Sequence, residues 1–115
     1  MKASILIRCL NELDNLKILF PILESQTFKD FEIIFIDSGS TDGSFEFVQN
    51  YKSEIPIILE EIHKSMFSFG RSLNMAANKS RYKDKLISLS AHCFPTSDEW
   101  VEKILINFKT PNVEI

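Results

Sequence analysis

The sequence predicts an α/β chain: a three-layer α/β/α sandwich built on a mostly parallel sheet. Three observations carry that prediction. Short apolar, β-branched runs alternate with segments whose apolar residues recur at helical spacing, in the order βαβαβαβα. The runs Ile5-Leu6-Ile7 and Ile33-Ile34-Phe35-Ile36 are unbroken, as strands buried on both faces of a parallel sheet are. The second run ends in Asp37, and Ser38-Gly39-Ser40-Thr41-Asp42 follows as a turn. A carboxylate there lies at the strand edge where open α/β sheets bind ligands.

Each element has its own justification. Residues 4–9 form the first strand. Asn11 is the expected N-cap of a helix with Glu12 and Asp14 in its first turn, where the dipole favours negative charge. Leu13, Leu16, Leu19, Phe20 and Leu23 share one face of it; Pro21 either kinks this helix or opens a second one running to Gln26. A second helix is expected over 43–52, with Phe45, Phe47 and Val48 inward, and a third strand over 57–62 after Pro56. A polar-aromatic loop over 63–69 leads to a helix from Gly70 or Arg71, whose Leu73, Ala76, Ala77 and Ser80 recur at helical spacing. Residues 85–90 make the fourth strand. Thr96 and Glu99 form a capping-box pattern, and Trp100, Val101, Ile104, Leu105 and Phe108 make the face of a last helix.

The bulk composition narrows the function classes. A chain of 115 residues makes one small domain, with no linker, repeat or low-complexity tract to divide it. A net charge of −3 offers no basic field, which argues against nucleic acid as a partner. The two cysteines make no disulfide framework and fit a reducing compartment. No run reaches the ~20 apolar residues of a membrane span. Arg8 and Asn11 interrupt the N-terminal apolar stretch, so no secretion signal is expected and the location reads as cytoplasmic.

Four pieces, SILIRCLNELDNL, SQTFKDFEIIFIDSGSTDGS, FSFGRSLNMAAN and LISLSAHCFPTSDEWVEK, follow one another along nearly the whole chain. In content, order and spacing they resemble the N-terminal half of family-two inverting glycosyltransferases of the GT-A fold. That resemblance implies a Rossmann-like half of the GT-A fold with sheet order 3-2-1-4. The donor would be a UDP- or dTDP-linked sugar, transferred with inversion to a saccharide or lipid-linked acceptor in cell-surface polysaccharide synthesis. A peripheral place at the inner membrane face would suit such an acceptor. Residues 1–115 then read as a partial glycosyltransferase domain, the nucleotide-sugar-binding half.

Individual residues carry the resemblance further. Asp37 matches the family's acidic residue that accepts a hydrogen bond from the nucleotide base; the plainer reading is that it caps its own turn. Ser38 lies beside it. Arg8 stands where the family often has a small hydroxyl residue, and either pairs with the diphosphate or makes an ion pair with Asp37 or Glu12. Asn11 and Glu12 match the family's Asn-Glu pair. Arg71 and Asn74 share a helix face at i, i+3 after Gly70, in a segment that lies beside the donor in resembling proteins; a surface ion pair and a polar anchor are their plainer readings.

Two departures stand out. The fourth strand of the family ends in a DXD-type motif for a divalent cation, Mn or Mg, but here Ser90-Ala91-His92 stands in its place, with no carboxylate. His92 is therefore a candidate metal ligand, a diphosphate contact or a polar core residue. A Cys9-Cys93-His92 site would have three ligands and no CxxC spacing, and two reduced cysteines are the simpler reading. The chain is also short for this family: the general base that inversion needs is expected beyond Ile115, and the fragment alone should turn over little. An uncovered sheet edge would then favour self-association. The alternative is a non-catalytic nucleotide-binding or scaffold module derived from a transferase.

Overall fold

Two seven-residue apolar strands form the centre of the sheet, because each can be buried on both sides. In the computed structural model these are β1, Ala3–Cys9, and β2, Phe31–Asp37. The structure describes residues 3–62, 78, 86–91, 94–95, 97–102 and 112–114. Between β1 and β2 runs helix α1, Leu13–Glu24; after β2 come helix α2, Ser44–Gln49, and strand β3, Ile57–Glu61. Strands β4, Leu86–Ser90, and β5, Asn112–Glu114, complete the sheet.

All four pairings are parallel, and the order is β3-β2-β1-β4-β5. The expected 3-2-1-4 order is present with one strand added at the β4 side. That addition lies where the sequence reading placed the chain after its last helix. Three residues with a single β-branched side chain are too few to show a period; their register on Leu86, Ile87 and Ser88 makes them a strand.

Side-chain alternation divides the sheet into two buried faces. On one, Ile5, Ile7, Cys9, Ile33, Phe35, Ile87 and Leu89 pack with Leu16, Leu19, Phe20 and Leu23 of α1, Val48 of α2 and Val101. On the other, Leu6, Ile34, Ile36 and Leu86 form a second cluster, flanked by Ile58 and Ile62. Burial on both faces is why β1 and β2 read as continuous apolar runs. Among the described residues, the large apolar side chains left exposed are Ile18 and Phe94, so no broad uncovered apolar face is seen there.

Helix α1 passes through Pro21 without ending. Pro21 and Lys17 both lie on the exposed side, so the carbonyl that loses its N–H partner at position 21 sits on the side facing water. Helix α2 is shorter than the 43–52 expected, because the Asn50 side chain turns back onto the Glu46 carbonyl at 2.9 Å and Tyr51 N–H closes onto Val48. Of the residues expected inward on α2, Val48 is buried and Phe47 packs on the core. Buried Gln26 fastens the end of α1 to the segment after β4: its Nε2 donates to the carbonyl of Ser97 (2.9 Å), and its Oε1 accepts from Val101 N–H (3.0 Å). Apart from Asn78, which is helical and exposed, the helix expected from Gly70 or Arg71 lies outside the described residues, as does the last helix beyond 102.

Candidate functional site

The carboxyl edge of the sheet collects the candidate residues, because β1, β2 and β3 end level with one another. Cys9 pairs with Asp37 and Asp37 with Glu61, while Arg8 pairs with Ile36 and with Ser90. In this register Asp37 lies on the Cys9 and Phe35 face, and Arg8 lies on the Leu6 and Ile36 face. The two charges proposed for the base and the diphosphate thus flank the end of β1 from opposite sides.

Asp37 is 0% exposed, and its carboxylate organises the turn that follows. Oδ2 accepts the backbone N–H groups of Gly39 (3.0 Å) and Ser40 (2.8 Å), and Oδ1 accepts the Ser40 hydroxyl at 2.5 Å. An ionised carboxylate offers about four acceptor directions, so the bonds among the described residues leave one on Oδ1. Gly39, at φ 98°, supplies the left-handed step that folds these amides back onto the side chain. Ser38 is buried, and both its N–H and its hydroxyl donate to the Cys9 carbonyl, at 3.0 and 3.2 Å. The Ser38 hydroxyl is therefore spent on joining β1 to β2. Ile62 N–H donates to the Asp37 carbonyl (2.8 Å), which ties the end of β3 to the same corner.

The start of α1 is built differently from the sequence expectation. Asn11 is not the N-cap; Glu12 holds that position, without a side-chain cap bond. Asn11 instead takes a left-handed backbone at φ 55°, and its Oδ1 accepts Thr41 N–H at 2.7 Å. Glu12 turns its carboxylate along the helix to accept from Asn15 Nδ2 (2.8 Å). Three consecutive amides, those of Asn11, Glu12 and Leu13, donate to Ser40 Oγ (2.8 Å), Ser44 Oγ (3.0 Å) and Asp42 Oδ2 (3.0 Å). Side chains of the 40–44 loop thus cap the helix that precedes them.

Asp42 is the residue that sequence reasoning missed. Besides Leu13, it accepts from Ser44 N–H (3.0 Å) and Ser44 Oγ (2.6 Å) through Oδ1. Desolvation works against its ionisation, but the bonds from the Ser44 hydroxyl, Leu13 N–H and Ser44 N–H outweigh it and hold the carboxyl below the usual carboxylate range. A depressed folded-state pKa means that the linkage is at full strength above the unfolded value and is lost as pH falls through the folded one. Amide exchange at Leu13 is therefore expected to be flat from pH 7 to about 5, after correction for intrinsic rates, and to speed up below about pH 4. An Asp42→Asn variant should lose that dependence.

Cys9 is buried beside this corner, its Sγ 3.7 Å from Ser40 Oγ, and burial pushes its thiol pKa up. Arg71, Asn74, His92 and Cys93, and with them the Cys9-Cys93-His92 grouping, lie outside the described residues. Among the described residues, no three His, Cys, Asp or Glu side chains come together to hold a metal. Ser90 and buried Ala91 bring no carboxylate to the end of β4.

The family model for glycosyl transferase family 2 matches residues 4–115. The chain belongs to glycosyl transferase family 2. Among curated relatives of this family-2 chain, the cholesterol galactosyltransferase of Borreliella burgdorferi is 33% identical over 82 residues, covering 70% of this chain and 23% of that protein. The uncharacterised glycosyltransferase YfnE of Bacillus subtilis is 29% identical over 83 residues, covering 70% and 21%. The chain thus spans less than a quarter of the length of the curated relatives it matches. Among solved structures, S. aureus TarS residues 1–349 in complex with UDP-GlcNAc superposes with a TM-score of 0.79 at 18% identity, covering 92% of this chain and 30% of that one. The complex of the same TarS piece with UDP gives 0.75 at 19%. At such identity the likeness speaks for the fold, a parallel α/β sheet of the GT-A kind. No helix among the described residues is long and apolar enough to cross a membrane.

Proposed function

We propose that residues 1–115 are the nucleotide-sugar-binding half of a glycosyltransferase that moves a sugar from a UDP- or dTDP-linked donor, with inversion, to a saccharide or lipid-linked acceptor. The observation that carries this reading is the family-2 match across the strand–turn corner at Asp37, on a sheet that superposes on a UDP-GlcNAc-bound neighbour. In it, the remaining Oδ1 acceptor of Asp37 meets an N–H of the pyrimidine, and Arg8, on the other side of β1, meets the diphosphate. Arg71 and His92 are proposed for the same phosphate side. The general base, opposite the leaving diphosphate, is assigned to sequence beyond residue 115 in the whole transferase. Synthesis of a cell-surface polysaccharide from the cytoplasmic side would suit such a donor, and self-association of the half-domain through a sheet edge belongs to the same reading.

Titration calorimetry with UDP and UMP tests it. Arg8→Met is expected to weaken UDP by roughly tenfold or more and UMP by much less, since a charge-assisted bond to the second phosphate is what it removes. Equal losses for both nucleotides would remove Arg8 from the diphosphate. One observation favours a second reading, a non-catalytic module: Ser90 and Ala91 stand where a carboxylate is expected. Hydrolysis of a UDP-sugar by the full-length protein would exclude that reading.

A further inference from the structure

Asn11 is the one non-glycine residue among those described with positive φ, and it sits at the nucleotide corner. Asparagine tolerates this conformation better than most residues, because its short polar side chain finds local partners. Here the left-handed step at Asn11, followed by Glu12 at φ −120°, turns three successive N–H groups to one side. Such a concavity of amides usually receives an anion or a ligand oxygen. In this chain it is already filled, by Ser40 Oγ, Ser44 Oγ and the Asp42 carboxylate. The linkage runs both ways, for Asn11 Oδ1 takes Thr41 N–H in return.

One atom joins this linkage to the binding corner. Ser40 Oγ accepts Asn11 N–H and donates its own hydrogen to Asp37 Oδ1. The hydroxyl therefore transmits the position of the α1 start to the carboxylate. We infer that Asn11 is a positioning residue: its carboxamide and left-handed backbone lock the 38–42 turn against the start of α1 and, through Ser40, fix the Asp37 carboxylate. The inference rests on the nucleotide reading above, which gives Asp37 to the base. With the Asn11 Oδ1 given to Thr41, the inferred action on the nucleotide runs through Ser40 and Asp37. Its influence falls on the base end of the ligand.

The test uses the full chain with UMP and UDP, in native form and as Asn11→Gly and Asn11→Ala. Glycine accepts φ 55° without strain and removes only the carboxamide. Asn11→Gly is expected to weaken UMP and UDP by the same factor, roughly fivefold, with faster amide exchange at Thr41 and Ser40. Asn11→Ala should weaken both further, since alanine lacks a side-chain partner for the left-handed backbone. If that variant does not fold, the glycine variant alone carries the test. A loss larger for UDP than for UMP would make Asn11 a phosphate contact and overturn the positioning role. So would unchanged affinities alongside lowered stability, which mark a merely structural link. Failure of the native chain to bind either nucleotide overturns the nucleotide reading first, before any variant is compared.

Discussion

Asp37→Asn is expected to reduce UDP affinity by roughly ten- to a hundredfold while leaving the chain folded, as read by titration calorimetry and by thermal unfolding. The asymmetry follows from the turn. An asparagine can rotate so that its carbonyl oxygen faces the Gly39 and Ser40 amides and its NH₂ faces the Ser40 hydroxyl, whose oxygen then accepts where it had donated. The turn thus keeps its bonds. What disappears is the spare acceptor on the Oδ1 side, replaced by a donor that meets a ring N–H with another N–H. Asp37→Ala behaves differently, because it strips the side-chain partner from the part-buried Gly39 and Ser40 amides and loosens the corner itself. The comparison separates the two roles of this residue. Native affinity in Asp37→Asn, with reduced stability in Asp37→Ala, would leave the carboxylate as a turn anchor and pass the base to another group.

Those two roles were both legible in the linear chain, and the reason they could not be separated there is physical. Unbroken runs such as Ile33 to Ile36 announce strands buried on two faces, and a helical stripe between them requires a crossover, so sheet and order follow from local pattern. Register does not. That Cys9 aligns with Asp37, and hence that Arg8 and Asp37 face opposite ways, depends on strand pairing. The partners of Ser40, Asp42 and Ser44 are equally non-local, about thirty residues back at the start of α1. A Ser-rich turn before a helix looks like the cap of that helix, and only folding the chain reveals that the previous helix takes its side chains. Pro21 left a kink and a second helix both open for a like reason: its cost depends on whether the orphaned carbonyl is on the wet side. As for β5, three residues contain no periodicity, and a neighbour at Leu86–Ser88 defines them.

Phe20→Ala should be the most destabilising single change among the described residues, by about 3–5 kcal/mol. The ring is 1% exposed and meets Phe35 of β2, Phe47 of α2 and Tyr51 edge-on, with centroids 6.3, 6.0 and 5.1 Å away. Truncation leaves a cavity at the junction of three elements and removes three edge-to-face contacts. Set against the roughly 5–15 kcal/mol of a typical small domain, that is a large share, and the urea midpoint should fall by about 2 M. The single tryptophan, Trp100, packs against the same core and reports the transition by fluorescence. Phe20 also seats α1, whose first amides hold the 38–44 loop, so the loss and the nucleotide site are thermodynamically linked. A ligand bound only by the folded chain restores stability by mass action, about 2.7 kcal/mol at a hundredfold excess over Kd. UDP at that excess is therefore expected to return half or more of the lost midpoint in Phe20→Ala. It should return only about 0.4–1.4 kcal/mol in the Phe20→Ala, Asp37→Asn double variant at the same concentration, because a ten- to hundredfold weaker site leaves UDP at only one to ten times its Kd.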